Sequence, residues 1–178
     1  EPQDIALYYV MVLANLATKQ TNAEEIAEIA QKIKDIFKKF NEPQDIAIYY
    51  AMTLVNLSTK QTKAEEFAEI AHEIKDIYKK FNEPQSIALS YAVILTNLSI
   101  KQEKIEEIAK IAHEIKDIYK KFNEPQDIAL QYARALISLS PKQTKAEEFA
   151  EIAHEIKDIY KKFNEPQDIA LYYAMALA

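Results

Sequence analysis

The chain has 178 residues, a formal net charge of −6, neither glycine nor cysteine, and 49% hydrophobic residues. That apolar content supports a packed core and excludes a disordered polypeptide, while the missing cysteines exclude a disulfide framework and thiolate chemistry. The acidic balance argues against wholesale binding of nucleic-acid phosphates, and no apolar run approaches the roughly 20 residues of a membrane span.

Glu-Pro-Gln recurs at Glu1, Glu42, Glu83, Glu124 and Glu165, each 41 residues after the last. The repeat divides the chain into units 1–41, 42–82, 83–123 and 124–164, with a partial unit over 165–178. A fixed period of this length is the signature of a helical array, so one solenoid domain over 1–178 is expected. The chain starts without Met, shows no signal-peptide pattern and stops within a helical pattern; a fragment of a longer array is expected.

In chain order, unit one predicts helix A over Asp4 to Thr18 and helix B over Asn22 to Phe40, the latter opened by a Thr21/Glu24 capping box. In unit two, Asn41 is expected to N-cap helix A, with Pro43 in its first turn and Gln44 completing a box. Ala47, Tyr50, Leu54 and Leu57 then form one apolar stripe at helical spacing, and the helix should fade near Ser58–Gln61. Thr62 and Glu65 predict the next capping box. Phe67, Ile70, Ala71, Ile74, Ile77, Tyr78 and Phe81 line one face of helix B. Glu65, Glu66 and Glu69 at its start and Lys75, Lys79 and Lys80 at its end suit the helix dipole, and Asn82 closes it. Unit three carries Glu103 at the capping position, predicting a start weaker by about 1 kcal/mol. In unit four Pro141 should stop helix A, and Thr144/Glu147 repeats the box. Residues 165–178 supply one extra helix A.

Short connections imply antiparallel neighbours, and one hairpin cannot bury both its stripes alone. The expected fold is therefore all-α: an α-solenoid of antiparallel helical hairpins with a 41-residue repeat, four full units plus one extra helix. Tyr50-type and Phe81-type aromatics are expected to fill the core between repeats.

Variation among the four full units is lopsided. Only 5 of 15 helix-A positions are fixed against 12 of 19 in helix B, which directs attention to helix A. Its fixed residues Ala6, Tyr9, Leu13 and Leu16 share one side. The variable side presents Tyr8, Tyr49, Ser90, Gln131 and Tyr172, then Met11, Met52, Val93, Arg134 and Met175, then Asn15, Asn56, Asn97 and Ser138. Tyr and Met suit a contact surface, giving area and adaptability. The alternative is that helix A is sandwiched between neighbours and these side chains pack.

Strings such as Ala14-Asn15-Leu16-Ala17, Ala23-Glu-Glu-Ile-Ala-Glu28 and a long helix B ending before Pro43 resemble tetratricopeptide repeats, in the long-period form of kinesin light chains and prokaryotic arrays. The likeness spans the chain at hairpin level. It departs from the family where a helix-A glycine is Ala17, Ser58, Ser99 or Ser140, and where an aromatic is Gln20, Gln61, Gln102 or Gln143. The resemblance implies a right-handed superhelix with helix A lining a concave face that takes extended or helical peptides. It further implies a backbone-clamping role for Asn15, Asn56 and Asn97, with Ser138 breaking the row. Arg134 would be the cation of that groove, suited to a carboxylate.

No phosphate loop, dinucleotide fingerprint or nucleophile elbow is possible without glycine. His72, His113 and His154 occupy one equivalent position, read as solvated surface, and no metal or cofactor is expected. The pairs Lys38–Lys39, Lys79–Lys80, Lys120–Lys121 and Lys161–Lys162 would align as a basic rim, most simply a solvated one, with RNA as a minor reading. The reading is a non-enzymatic scaffold binding a peptide or partner helix; the alternative is a structural repeat assembling end to end.

Overall fold

The computed structural model describes residues 2–82, 84–143, 146–164 and 166–177. These are all-helical: α1 (Pro2–Ala17), α2 (Ala23–Lys39), α3 (Gln44–Ser58), α4 (Ala64–Lys80), α5 (Gln85–Lys101), α6 (Ile105–Lys121), α7 (Gln126–Leu139), α8 (Ala146–Lys162) and α9 (Gln167–Leu177), with a 3-10 turn at Ser140–Lys142. The described residues contain no strand. The chain forms two compact units, residues 1–94 and 95–178, with the division falling inside α5.

In the first unit α1 packs on α2, α2 on α3 and α3 on α4, and α1 also meets α3. Ile26, Ile33, Ile46, Ile74 and Ile87 are sealed in its core. In the second unit α6 packs on α7, α7 on α8 and α8 on α9, and α7 also meets α9. There Ile108, Ile115, Ile128, Ile156 and Ile169 play the same part. Each such isoleucine contributes about 2 kcal/mol relative to an exposed one.

Helix A is buried on a wider arc than its stripe predicts. In α3, Ile46, Ala51, Thr53 and Ser58 are buried beside Ala47, Tyr50, Leu54 and Leu57. The two buried hydroxyls are satisfied within the helix: Thr53 Oγ1 donates to the Tyr49 carbonyl at 2.8 Å and Ser58 Oγ to Val55 at 2.6 Å. Pro141 ends α7 at Leu139, and the chain leaves through the 3-10 turn. Lys142 Nζ then donates to the Gln102 carbonyl at 2.7 Å, within the second unit.

The turns from helix B to helix A differ from the sequence expectation. Asn41 does not cap α3; the N-cap is Pro43, without a side-chain bond, so no box forms with Gln44. Asn41 instead ends α2 in the left-handed region at φ 60°, followed by Glu42 at φ 58°. The Asn41 N–H donates to the Lys38 carbonyl at 3.2 Å and the Glu42 N–H to Phe37 at 2.7 Å. This is a Schellman ending, which normally calls for glycine. The next junction in the second unit repeats it, with Asn123 and Glu124 at φ 58° and 61°. The following proline disfavours a right-handed helical conformation at the preceding glutamate, so α2 cannot run on. Lys80 and Lys162 pair with the carboxylates of Glu42 and Glu124.

The helix-B caps sit one residue later than expected. Asn22, not Thr21, caps α2, accepting from the Glu24 N–H at 2.9 Å. In α4 the N-cap is Lys63, and Glu66 rather than Glu65 reaches back, accepting from the Thr62 and Lys63 N–H groups at 3.3 Å each. The α6 N-cap, Lys104, makes no side-chain cap. Thr144 lies outside the described residues.

The fixed tyrosine of helix A joins successive helix pairs. Tyr50 lies 6.3 Å from Phe37 and Tyr91 lies 5.6 Å from Tyr78 in the first unit; Tyr132 lies 6.3 Å from Tyr119 and Tyr173 lies 6.1 Å from Tyr160 in the second. The Phe37/Tyr78 position fills this role; Phe81, expected to do so, is only half-buried, with its ring 6.4 Å from Phe37. Tyr50 Oη donates to Glu73 Oε1 at 2.7 Å, and the same carboxylate pairs with Lys34. In the second unit Glu155 takes Lys116 and the Tyr132 hydroxyl likewise. Burial, followed by the bond to the carboxylate, pushes both phenols far above their ordinary range.

A tyrosine that ionises less readily when folded stabilises the fold fully below its unfolded pKa near 10, and that contribution declines as pH rises above it. Chemical denaturation should therefore show stability falling from about pH 10 upward. Tyr50→Phe should cost about 1–2 kcal/mol at neutral pH and flatten part of the alkaline decline. An unaltered alkaline slope would show that the bond to Glu73 does not operate.

Candidate binding surface

The variable side of helix A is described unit by unit. In the first unit, Tyr8, Asn15 and Met52 are exposed, and Met11, Tyr49, Ser90 and Val93 are half-buried. Met52, at 52%, is the most open of these within α3, a helix packed on both α2 and α4. In the second unit, Met175 is exposed; Asn97, Arg134, Ser138 and Tyr172 are half-buried, and Gln131 is buried. The fourteen positions thus grade from open surface to packing, and they are not one uniform face.

The polar members are engaged by the fold. Asn56 Nδ2 donates to the Ala17 carbonyl at 2.6 Å, reaching from α3 to the end of α1. Ser138 Oγ donates to the Ala135 carbonyl at 2.7 Å and lies 2.9 Å from Ser99 Oγ, reaching from α7 to α5. Ser138, which interrupts the asparagine row, therefore keeps the same structural duty. Thr96 Oγ1 donates to the Gln131 carbonyl at 3.2 Å, and Arg134 Nη1 lies 3.5 Å from Gln131 Oε1. The contact-forming groups that remain are Tyr8, Met11, Tyr49 and Met52 in the first unit, and Arg134, Tyr172 and Met175 in the second.

The opposite chemistry lies on helix B. His72, His113 and His154 are exposed and stand 3.6, 3.7 and 3.2 Å from Asp76, Asp117 and Asp158, each one turn on. Among the described residues no group of three or more His, Cys, Asp or Glu is placed to hold a metal ion. The lysine pairs are exposed, yet their charge is partly matched: beyond the pairs with Glu42 and Glu124, Lys80 lies over the Phe37 ring at 5.9 Å and Lys162 over Tyr119 at 5.7 Å. An open hollow of about 520 Å³ between α6 and α8 is lined by Lys116, Ala150, Glu151, His154, Glu155 and Asp158. No described helix is long and apolar enough to cross a membrane.

The sequence reading missed the Lys–Glu–Tyr network. A signal existed: lysine is fixed at the Lys34 position in all four units, while the Glu73 position holds glutamate in three and Lys32 in the first. No family model, curated protein or solved structure matches this chain.

The Asn56 bond separates a structural from a ligand-clamping role. Asn56→Ala should lower stability by about 1 kcal/mol by orphaning the Ala17 carbonyl, read by denaturant midpoint. A residue reserved for a ligand would leave the midpoint in place.

Proposed function

We propose that this chain is a non-enzymatic protein-interaction scaffold whose helix-A surface takes a peptide or partner helix. Its helix pairs would continue as a right-handed α-solenoid of the tetratricopeptide kind. The observation that carries the reading is Met52: a large flexible apolar side chain half in solvent at the centre of α3, flanked one turn back by half-buried Tyr49. Exposed Met with adjacent Tyr gives adaptable contact area that core packing does not require. Arg134 gives the second unit a guanidinium on the same side of helix A, suited to a partner carboxylate. The asparagine row belongs to the scaffold in this reading, and Tyr and Met do the contacting.

A second reading is end-to-end assembly, drawn from the exposed Leu171, Met175 and Leu177 of α9. Concentration-dependent light scattering distinguishes the two, because a strict monomer at high concentration removes assembly. For the scaffold, displayed peptides selected on the wild-type chain should lose about tenfold or more in affinity on Met52→Asp, with helical circular dichroism unchanged. Arg134→Glu should selectively weaken the acidic members of the same pool. Selected peptides indifferent to both substitutions would refute the helix-A surface.

A further inference from the structure

The outer flank of α1 carries an interaction site of its own, independent of the Met52 surface. Ile5, Tyr9, Val12 and Leu16 are exposed there, at 72%, 53%, 62% and 45%. Their equivalents in α3, Ile46, Tyr50, Thr53 and Leu57, are all buried, with Ile46 at 1% and Tyr50 at 3%. Those in α7, Ile128, Tyr132, Ala135 and Leu139, are buried as well. Single exposed apolar residues are ordinary, but a continuous row that is buried in each equivalent helix is an interface lacking its second half.

The internal interfaces show what such a second half must offer. Phe37 stacks on Tyr50 and Tyr119 on Tyr132 from the preceding helix B. Three residues before each aromatic stand Lys34 and Lys116, whose ammonium groups meet Glu73 and Glu155 of the following pair. In the first pair, the residue equivalent to those glutamates is Lys32, exposed on α2. A further helix pair of this chain would bring the fixed lysine, Lys34, Lys75, Lys116 or Lys157, against Lys32. Like charges opposed across an apolar contact disfavour it and select against that partner. A carboxylate at the same place would be attracted.

We propose that this flank, the exposed row of α1 with Lys32, docks an acidic amphipathic helix of another protein. The partner helix carries an aromatic side chain for Tyr9 and, three residues before it, a glutamate or aspartate for Lys32. Charge reversal at one position thus separates the foreign helix from the repeats' own stacking.

The test uses the intact chain and two lactam-stapled peptides with the α4 sequence Ala64–Lys80, one unaltered and one carrying Lys75→Glu. In these peptides Tyr78 supplies the aromatic, and position 75 presents either lysine or glutamate to Lys32. Fluorescence anisotropy should show the Lys75→Glu peptide binding about tenfold tighter than its twin. The preference should invert on Lys32→Glu, and both peptides should be lost on Ile5→Lys. Ile5 and Lys32 are exposed, so neither change touches the core. Equal binding of the two peptides, or a preference that survives Lys32→Glu, overturns the proposal. So does a wild-type dimer in sedimentation equilibrium that Ile5→Lys dissociates, because the occupant would then be a second copy.

Discussion

The structure depends on one contact: the fixed tyrosine of helix A, pressed against the aromatic of the preceding helix B and anchored through its hydroxyl to a glutamate. Aromatic pairs at these separations add about 0.5–1.5 kcal/mol beyond the area they bury. The hydroxyl cannot be buried without a partner, so the tyrosine also fixes the position of its own helix B, which supplies Glu73 or Glu155. That carboxylate in turn receives a lysine from the preceding helix B. A single side chain thereby ties three helices, and the lysine stem covers its ring: Lys75 lies 5.9 Å from Tyr91 and Lys116 lies 5.7 Å from Tyr132. The isoleucine core gives most of the stability but little of the register, since apolar burial is non-directional. Hydrogen bond, ion pair and ring contact are directional, and together they select one way for successive pairs to meet.

A second constraint is the absence of glycine. Each turn from helix B to helix A must bend sharply, and the chain does so with Asn and Glu in the left-handed region. For residues with a Cβ that conformation costs roughly 1–2 kcal/mol each. Asparagine tolerates it best; glutamate does not, and its partner explains its place. Lys80 and Lys162 return from the same helix pair to Glu42 and Glu124. These pairs are partly exposed, so each contributes modestly, but they tie the strained junction to the end of helix B.

Helix extents and most core positions were legible because their spacing is strongly periodic: Ala47, Tyr50, Leu54 and Leu57 are all buried as the stripe requires. Terminal details were not. Asn41 before Pro43 reads as an N-cap by residue preference, yet backbone geometry uses it to end the helix before, because two short elements compete for the same asparagine. Thr62 likewise reads as a cap, but α4 begins one residue later and Glu66 does the reaching. The surface was legible only as a direction. Helical projection separates a variable side from a fixed one, but it cannot tell that Asn56 is consumed by Ala17 or that Gln131 is buried. Those facts depend on how close the adjacent helix A lies, and that distance is not written in a single helix's pattern.

Variation between repeats can now be divided by physical cause. Asn56 and Ser138 differ in type yet both reach the preceding helix A, so that variation is neutral for binding. Tyr49, Ser90 and Gln131 differ in size at a position that ranges from half-buried to buried, so packing limits what each can offer. Met52, Val93 and Arg134 differ in chemistry while remaining at least half-open, and packing explains none of the three. Lys32 belongs to the same class: the fold requires glutamate only where a preceding lysine arrives, and α2 meets none in the first unit. Residues that are free of the fold's demands and still apolar or charge-reversed are where selection for a partner can act.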